Sequence, residues 1–230
     1  MTSSAEMHNV AARSLALGDE LTEIRRDFHQ NPELANEELR TAAKVAQYLQ
    51  QLKLDEVITK IAHTGVVGIL TGSGPGPVLA IRADMDALPI TETMDVPYKS
   101  LRPGIKHACG HDAHTTIVMG TAKLLSQMRD SFPGTVKFIF QPAEEGPPPG
   151  QQGGASLMIK EGVLKNPDVD AIIGLHVRPQ YETGLVAFRG GPVMASADRL
   201  EIVIMGRQCH AAYPHTGIDA IAVAADVIQQ

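Results

Sequence analysis

Residues 135–145 read Thr135-Val136-Lys137-Phe138-Ile139-Phe140-Gln141-Pro142-Ala143-Glu144-Glu145. The first part of this run is nearly all apolar and is bounded by turn residues, the pattern of a strand buried on both faces of a sheet. Pro133-Gly134 breaks the chain ahead of it. Pro142 and the run Gly146-Pro147-Pro148-Pro149-Gly150 release it afterwards, because proline cannot donate to a ladder. A buried strand therefore ends on two adjacent carboxylates. On a regular strand such neighbours point to opposite faces; freed from the ladder, Glu144 and Glu145 can turn toward one site. Hydrolysis at a metal needs one carboxylate as a ligand and a second as general base. An exposed acidic turn is the plainer alternative for a Glu pair.

Working outward, residues 56–62, 66–70, 78–83 and 171–176 are rich in aliphatic and β-branched side chains and read as further strands. Helical spacing of Leu17, Leu21, Ile24 and Phe28 predicts a helix over residues 14–30, ended by Asn31-Pro32. A second helix begins near Asn36, with Ala42, Val45, Leu49 and Leu52 inward. A third spans residues 112–128, with Ile117, Thr121, Leu124 and Met128 along one side, and a short one covers residues 155–161. Strands and helices in this alternation predict an α/β fold with a sheet covered on both faces. Gly190-Gly191-Pro192 punctuates the chain, placing a domain boundary near Gly191 between residues 1–191 and 192–230. Beyond it, residues 199–205 alternate polar and apolar as a half-exposed antiparallel strand does, and an apolar helical pattern runs to Gln230.

Composition narrows the function classes. The 230 residues carry 20 Lys and Arg against 26 Asp and Glu, a net charge of −6, and no basic cluster, which argues against nucleic acid or an anionic membrane as partner. No apolar run reaches the length of a membrane helix. Two cysteines, Cys109 and Cys209, make no disulfide framework, and Met1 to His8 has no signal-peptide pattern, so a cytoplasmic setting is expected.

Ionisable groups recur where open α/β sheets bind ligands, at strand ends and helix starts. Asp84-Met85-Asp86 follows one strand, Cys109-Gly110-His111-Asp112-Ala113-His114 opens a helix, Glu144-Glu145 follows the buried strand, and His176 closes another. Thiolate, imidazole and carboxylate are the donors zinc and its first-row neighbours select. A buried cysteine flanked by surface histidines is the bland alternative. Cys109 as a nucleophile with His111 as base is another, though i and i+2 are poorly placed for that bond and nearby carboxylates suit a cation better. Asp84 and Asp86 share a face and could hold a ligand imidazole in place. Asp112 and His114 read as supporting groups, with a helix cap the alternative for Asp112. His210 could donate to an oxyanion if a second domain covers the sheet.

Five motifs in order, Arg82-Ala83-Asp84-Met85-Asp86-Ala87-Leu88-Pro89, His107-Ala108-Cys109-Gly110-His111-Asp112-Ala113-His114, Gln141-Pro142-Ala143-Glu144-Glu145-Gly146, Gly174-Leu175-His176 and His210-Ala211-Ala212-Tyr213-Pro214-His215, resemble the M20 metallopeptidase family in its amidohydrolase branch. Residues 26–34 look like that branch's first-helix signature. The resemblance implies a zinc-exopeptidase-like catalytic domain with an inserted α+β lid that often dimerises, and a site for two divalent ions, Mn or Zn foremost and Ni or Co as alternatives. Carried over position by position, it implies Cys109, His111, Glu145 and His176 as metal ligands, Cys109 bridging. Glu144 resembles the general base, Asp86 the residue that orients a ligand, and His210 a lid histidine that polarises the scissile carbonyl. Two positions depart from the pattern: Asp84 stands where the wider family has a ligand histidine, and Gln208-Cys209 replaces a small, glycine-rich pair.

The expected activity is hydrolysis of an N-acyl or N-aroyl amino acid, a small-molecule substrate, by a homodimer formed through the lid. A dipeptidase or carboxypeptidase of the same superfamily is the enzymatic alternative, and a non-catalytic metal-binding fragment the other. The resemblance also places a last ligand histidine in a segment after the lid, so the chain reads as the front part of a longer hydrolase.

Overall fold

In the computed structural model, which describes residues 4–196 and 200–229, the chain opens with helices α1 (Ser4–Ala16), α2 (Gly18–Gln30) and α3 (Leu39–Gln51). The single helix expected over residues 14–30 is divided at Leu17, ahead of Gly18, a weak helix former. Strands β1 (Glu56–Ile61), β2 (Gly65–Thr71) and β3 (Val78–Asp84) follow, then α4 (His111–Ser126), β4 (Thr135–Gln141), α5 (Gly154–Lys160), β5 (Ala171–Gly174) and α6 (Ala220–Gln229). The chain divides into two units, Met1–Gln180 and Tyr181–Gln230.

In the first unit the strands form one mixed sheet in the order β1-β2-β4-β3-β5. The pairs β1/β2 and β2/β4 are antiparallel, while β3 runs parallel to both β4 and β5. As the residue pattern of 135–141 implied, β4 lies in the middle, with Phe138 and Phe140 fully buried on one face and Ile139 buried on the other. The first face packs against Phe28, Val45, Leu49, Val118 and Met119 of α2, α3 and α4. The second packs against Met158 and Val163. Lys137, polar yet buried, donates from Nζ to the carbonyls of Val163, Lys165 and Pro167 at 3.1, 2.7 and 3.2 Å.

Three expectations need correction. The inward face of α4 is Thr115, Val118, Met119 and Ala122, not the stripe through Ile117, which is exposed. Strand β5 stops at Gly174, so His176 stands beyond it: the Val177 N–H goes to the His114 ring instead of a neighbouring strand. In the second unit, residues 200–205 form no strand, since nothing among the described residues pairs with them in a ladder; Arg199 lies outside the described residues. That unit has the bridge Arg207↔Ile218 and helix α6. No helix among the described residues is long and apolar enough to cross a membrane.

Parallel pairing decides where the site lies. Asp84 is level with Gln141 and Arg82 with Gly174. The carboxyl ends of β3, β4 and β5 therefore leave the sheet side by side, which brings Asp84–Asp86, Glu144–Glu145 and His176 to one edge.

Candidate metal centre

The loop into α4 supplies Cys109 and His111 at that edge. Gly110 caps α4 at φ +92, a conformation that favours glycine, and a Cβ there would sit 2.3 Å from Val177 Cγ2. The helix is fastened to β3 through the Thr115 hydroxyl, which donates to the Asp84 carbonyl at 2.7 Å.

His111 is the centre of the cluster. Its Nδ1 lies 2.8 Å from the Asp86 carbonyl and 3.1 Å from Asp86 Oδ1, so Nδ1 carries the proton and donates it. Asp86 is itself fixed, its Oδ2 accepting the Glu145 N–H at 2.9 Å. The other ring nitrogen, Nε2, is buried and has no hydrogen-bond partner among the described residues. It faces Asp84 Oδ1 and Glu144 Oε2 at 3.7 Å and Glu145 Oε1 at 3.8 Å. Alongside, Cys109 Sγ lies 3.3 Å from His176 Nε2.

These separations suit a shared cation. Two N or O donors each about 2.1 Å from one tetrahedral ion lie about 3.4 Å apart, beyond hydrogen-bond length and close to what His111 shows. Two donor groups fit on geometry and chemistry: Cys109, His111 and His176, and His111 with Glu144 and Glu145. A third, Asp84 with His111 and His114, does not fit, because His114 has no lone pair left. Its Nδ1–H donates to Asp84 Oδ1 at 2.6 Å and its Nε2 accepts the Val177 N–H at 2.9 Å. His114 thus joins Asp84 to the loop bearing His176.

Electrostatics reflect four carboxylates around one imidazole. Burial works against the charge on Asp84, yet the His114 bond, with His111 and Arg82 close by, brings its carboxyl down to about 2. Burial also disfavours an imidazolium at His111, but the Asp86 bond and the charges of Asp84 and Glu144 outweigh it and hold the ring up at about 9. Burial, then Glu145, Glu144 and Asp84, push the Cys109 thiol up to about 12. Such a thiol is a poor nucleophile alone, and the second nitrogen of His111, Nε2, makes no hydrogen bond to it, so the Cys109–His111 nucleophile pair is not formed. Burial and the charge of Asp84 raise Glu144, the direction a general base needs.

The structure brings together Asp86, Cys109, His111, Glu144, Glu145 and His176 from the sequence reading. His210 belongs to the second unit, where its Nδ1 accepts the Ala212 N–H at 3.1 Å. Asp112 does not cap α4; Gly110 does. Asp112 Oδ2 instead accepts from His29 Nδ1 and Arg25 Nε, both at 2.8 Å, and His29 Nε2 reaches Glu92 Oε1 at 3.2 Å. This buried clamp carries no motif of ligand spacing; its sequence signals are His29 within the first-helix signature and Asp112 within the Cys109–His114 run. His107 is buried with both ring nitrogens unpartnered among the described residues, and burial pulls it down to about 4, leaving it neutral.

A profile of Peptidase family M20/M25/M40 matches residues 80–230. The chain is 44% identical over 208 residues to an N-acetylcysteine deacetylase of Bacillus subtilis, covering 90% of this chain and 53% of that protein. It is 42% identical over 209 residues to thermostable carboxypeptidase 2 of Saccharolobus solfataricus, covering 91% and 52%. Among solved structures, the YXEP protein of Bacillus subtilis, a dinuclear metal binding peptidase of the M20 family, matches with a TM-score of 0.65 at 43% identity, over 72% of this chain and 44% of that one. The chain spans about half the length of the curated relatives it matches.

Proposed function

The chain belongs to Peptidase family M20/M25/M40, and from that premise we propose that the whole protein is a metal-dependent amidohydrolase. It cleaves an N-acyl or N-aroyl amino acid to a carboxylic acid and an amino acid. The observation that carries this reading is the buried, unpartnered Nε2 of His111 facing three carboxylates, with Cys109 and His176 alongside. Similarity to the N-acetylcysteine deacetylase supports the substrate class.

Cys109, His111, Glu145 and His176 would hold two divalent ions, Mn or Zn foremost, which supply Lewis acidity to the attacking water and the scissile carbonyl. Asp86 keeps one His111 proton on Nδ1, so Nε2 is the nitrogen that would give up its proton to become a metal ligand. Glu144 takes the proton from the attacking water and later gives it to the departing amine, helped by a carboxyl already raised in this setting. His210 is assigned, on its motif alone, to hydrogen-bond the carbonyl oxygen. Residues 1–191 as catalytic domain, 192–230 as the start of a dimerising lid, and a cytoplasmic location belong to the same proposal.

Amino-acid release from N-acetyl and N-benzoyl amino acids, measured against dipeptides in Mn2+ or Zn2+, tests the reading. Turnover of the acylated substrates alone is expected. Release from peptide C-termini with no deacylation would replace it by a carboxypeptidase, the reading that the resemblance to thermostable carboxypeptidase 2 favours.

A further inference from the structure

The turn that presents Glu144 is gripped on both sides. The Glu145 N–H is held by Asp86, and the Ala143 N–H donates to Glu38 Oε1 at 2.9 Å. Glu38 stands just before α3, 105 positions from Ala143, and is fully buried at 0% exposure. Its second oxygen, Oε2, accepts the Thr64 hydroxyl at 2.6 Å. Buried carboxylates are rare unless their oxygens are satisfied, and both oxygens of Glu38 are taken up here. Between the two grips, Ala143 is buried at φ +49, in the left-handed region that residues with a Cβ avoid. A conformation of that kind persists only where its surroundings enforce it.

We propose that Glu38, aimed by Thr64, is a positioning residue for the Glu144–Glu145 pair. By holding the Ala143 N–H it keeps this turn strained and directs both carboxylates toward His111. Glu38 touches neither substrate nor metal; it acts only through the turn. The inference rests on reading Glu144 as base and Glu145 as ligand.

The test uses the full-length protein as wild type, Glu38→Ala and Glu38→Gln, stripped of metal, titrated calorimetrically with Mn2+ and then assayed for kcat and KM. Supporting groups behind metal ligands typically contribute 10- to 100-fold in affinity or rate. Glu38→Ala is expected to bind Mn2+ about 10- to 100-fold more weakly and to lose kcat in proportion, with KM little changed. Glu38→Gln is expected to stay within about threefold on each measure, because an amide oxygen can still accept the Ala143 N–H. Wild-type Mn2+ affinity in a folded Glu38→Ala overturns the proposal. So does a Glu38→Gln that falls as far as Glu38→Ala, since charge would then be the cause. Should Glu38→Ala not fold, Thr64→Val keeps Glu38 and removes the hydroxyl that aims it; weaker Mn2+ binding is expected, and unchanged binding overturns the role. A wild type that binds Mn2+ yet cleaves no N-acyl amino acid refutes the function proposed above and leaves this inference to the titration.

Discussion

His114 can be split into its two hydrogen bonds, and the two halves should affect different measurements. The ring is fully buried between Asp84 Oδ1 at 2.6 Å and the Val177 N–H at 2.9 Å. Asparagine places its amide near the position of Nδ1, so His114→Asn keeps a donor for Asp84 and abandons Val177. Glutamine reaches toward the position of Nε2, so His114→Gln keeps an acceptor for Val177 and abandons Asp84. A hydrogen bond to a buried charge is worth about 1.5–3 kcal/mol and a backbone bond about 1 kcal/mol. In metal-free protein His114→Gln should therefore lose about 1.5–3 kcal/mol and His114→Asn about 1 kcal/mol, as read from urea midpoints at constant slope. Metal affinity should run the other way. The Val177 bond holds the loop of His176, so His114→Asn should bind Mn2+ or Zn2+ about 10- to 100-fold more weakly while His114→Gln stays near wild type. If both variants fall in the same order in both assays, or His114→Asn binds metal normally, Val177 does not transmit the position of His114 to His176.

Glu144→Gln should retain its metal while kcat/KM drops by about 10²- to 10⁴-fold, and turnover like that of the wild type would remove Glu144 from the role of base. Hydrogen bonds to Asp112 and Glu92 raise the pKa of His29 above the ordinary imidazole value. Its contribution is thus fully present below pH 6.5 and fades as pH rises through the raised value, so urea titrations of His29→Gln should lag wild type by about 3 kcal/mol at pH 6 and by less in alkali; a gap that widens with pH would refute this. Metal uptake must displace the protons held by His111 at about 9 and Cys109 at about 12. Calorimetry at pH 7.5 should therefore show release of about two protons per chain, and a binding enthalpy independent of the buffer would contradict it.

Much of the sheet was legible because β4 allows little else: an apolar stretch of that length between two proline-containing breaks is a buried strand. Helix α4 was harder. Hydropathy favours Ile117 and Leu124 as its inward stripe, but the helix packs closely on α2, where a Cβ on Gly120 would sit 2.7 Å from Leu21 Cδ1. Close approach there requires Gly120 to be small, and the inward face mixes Thr115 with Val118, Met119 and Ala122, so hydropathy alone does not single it out. The strand expected over residues 199–205 is absent from its described part, 200–205, for another reason. Its alternation specifies a face for each side chain, whereas a strand exists only when a neighbour completes its ladder.

The donor chemistry of the site was legible in its motifs, and the resemblance they carry assigned His111 as a ligand, with His114 read as a supporting group; the physical cause of that division was not legible. His111 and His114 lie three residues apart in α4, each with an aspartate at Nδ1. Nothing in residue type or spacing separates them. They differ in what faces the far nitrogen: for His114 a backbone N–H at 2.9 Å, for His111 three carboxylate oxygens between 3.7 and 3.8 Å. The donated N–H uses up the His114 lone pair and leaves only His111 able to bind a cation. That N–H comes from Val177, whose place is set by the parallel register of β5 on β3, a contact between residues far apart in sequence. Glu38 follows the same logic from the opposite direction: it resembles any glutamate at a helix start until the fold brings the Ala143 N–H to it. A histidine-rich segment therefore marks a candidate cation site, while the hydrogen bonds made by each second nitrogen decide which rings have a lone pair to offer it.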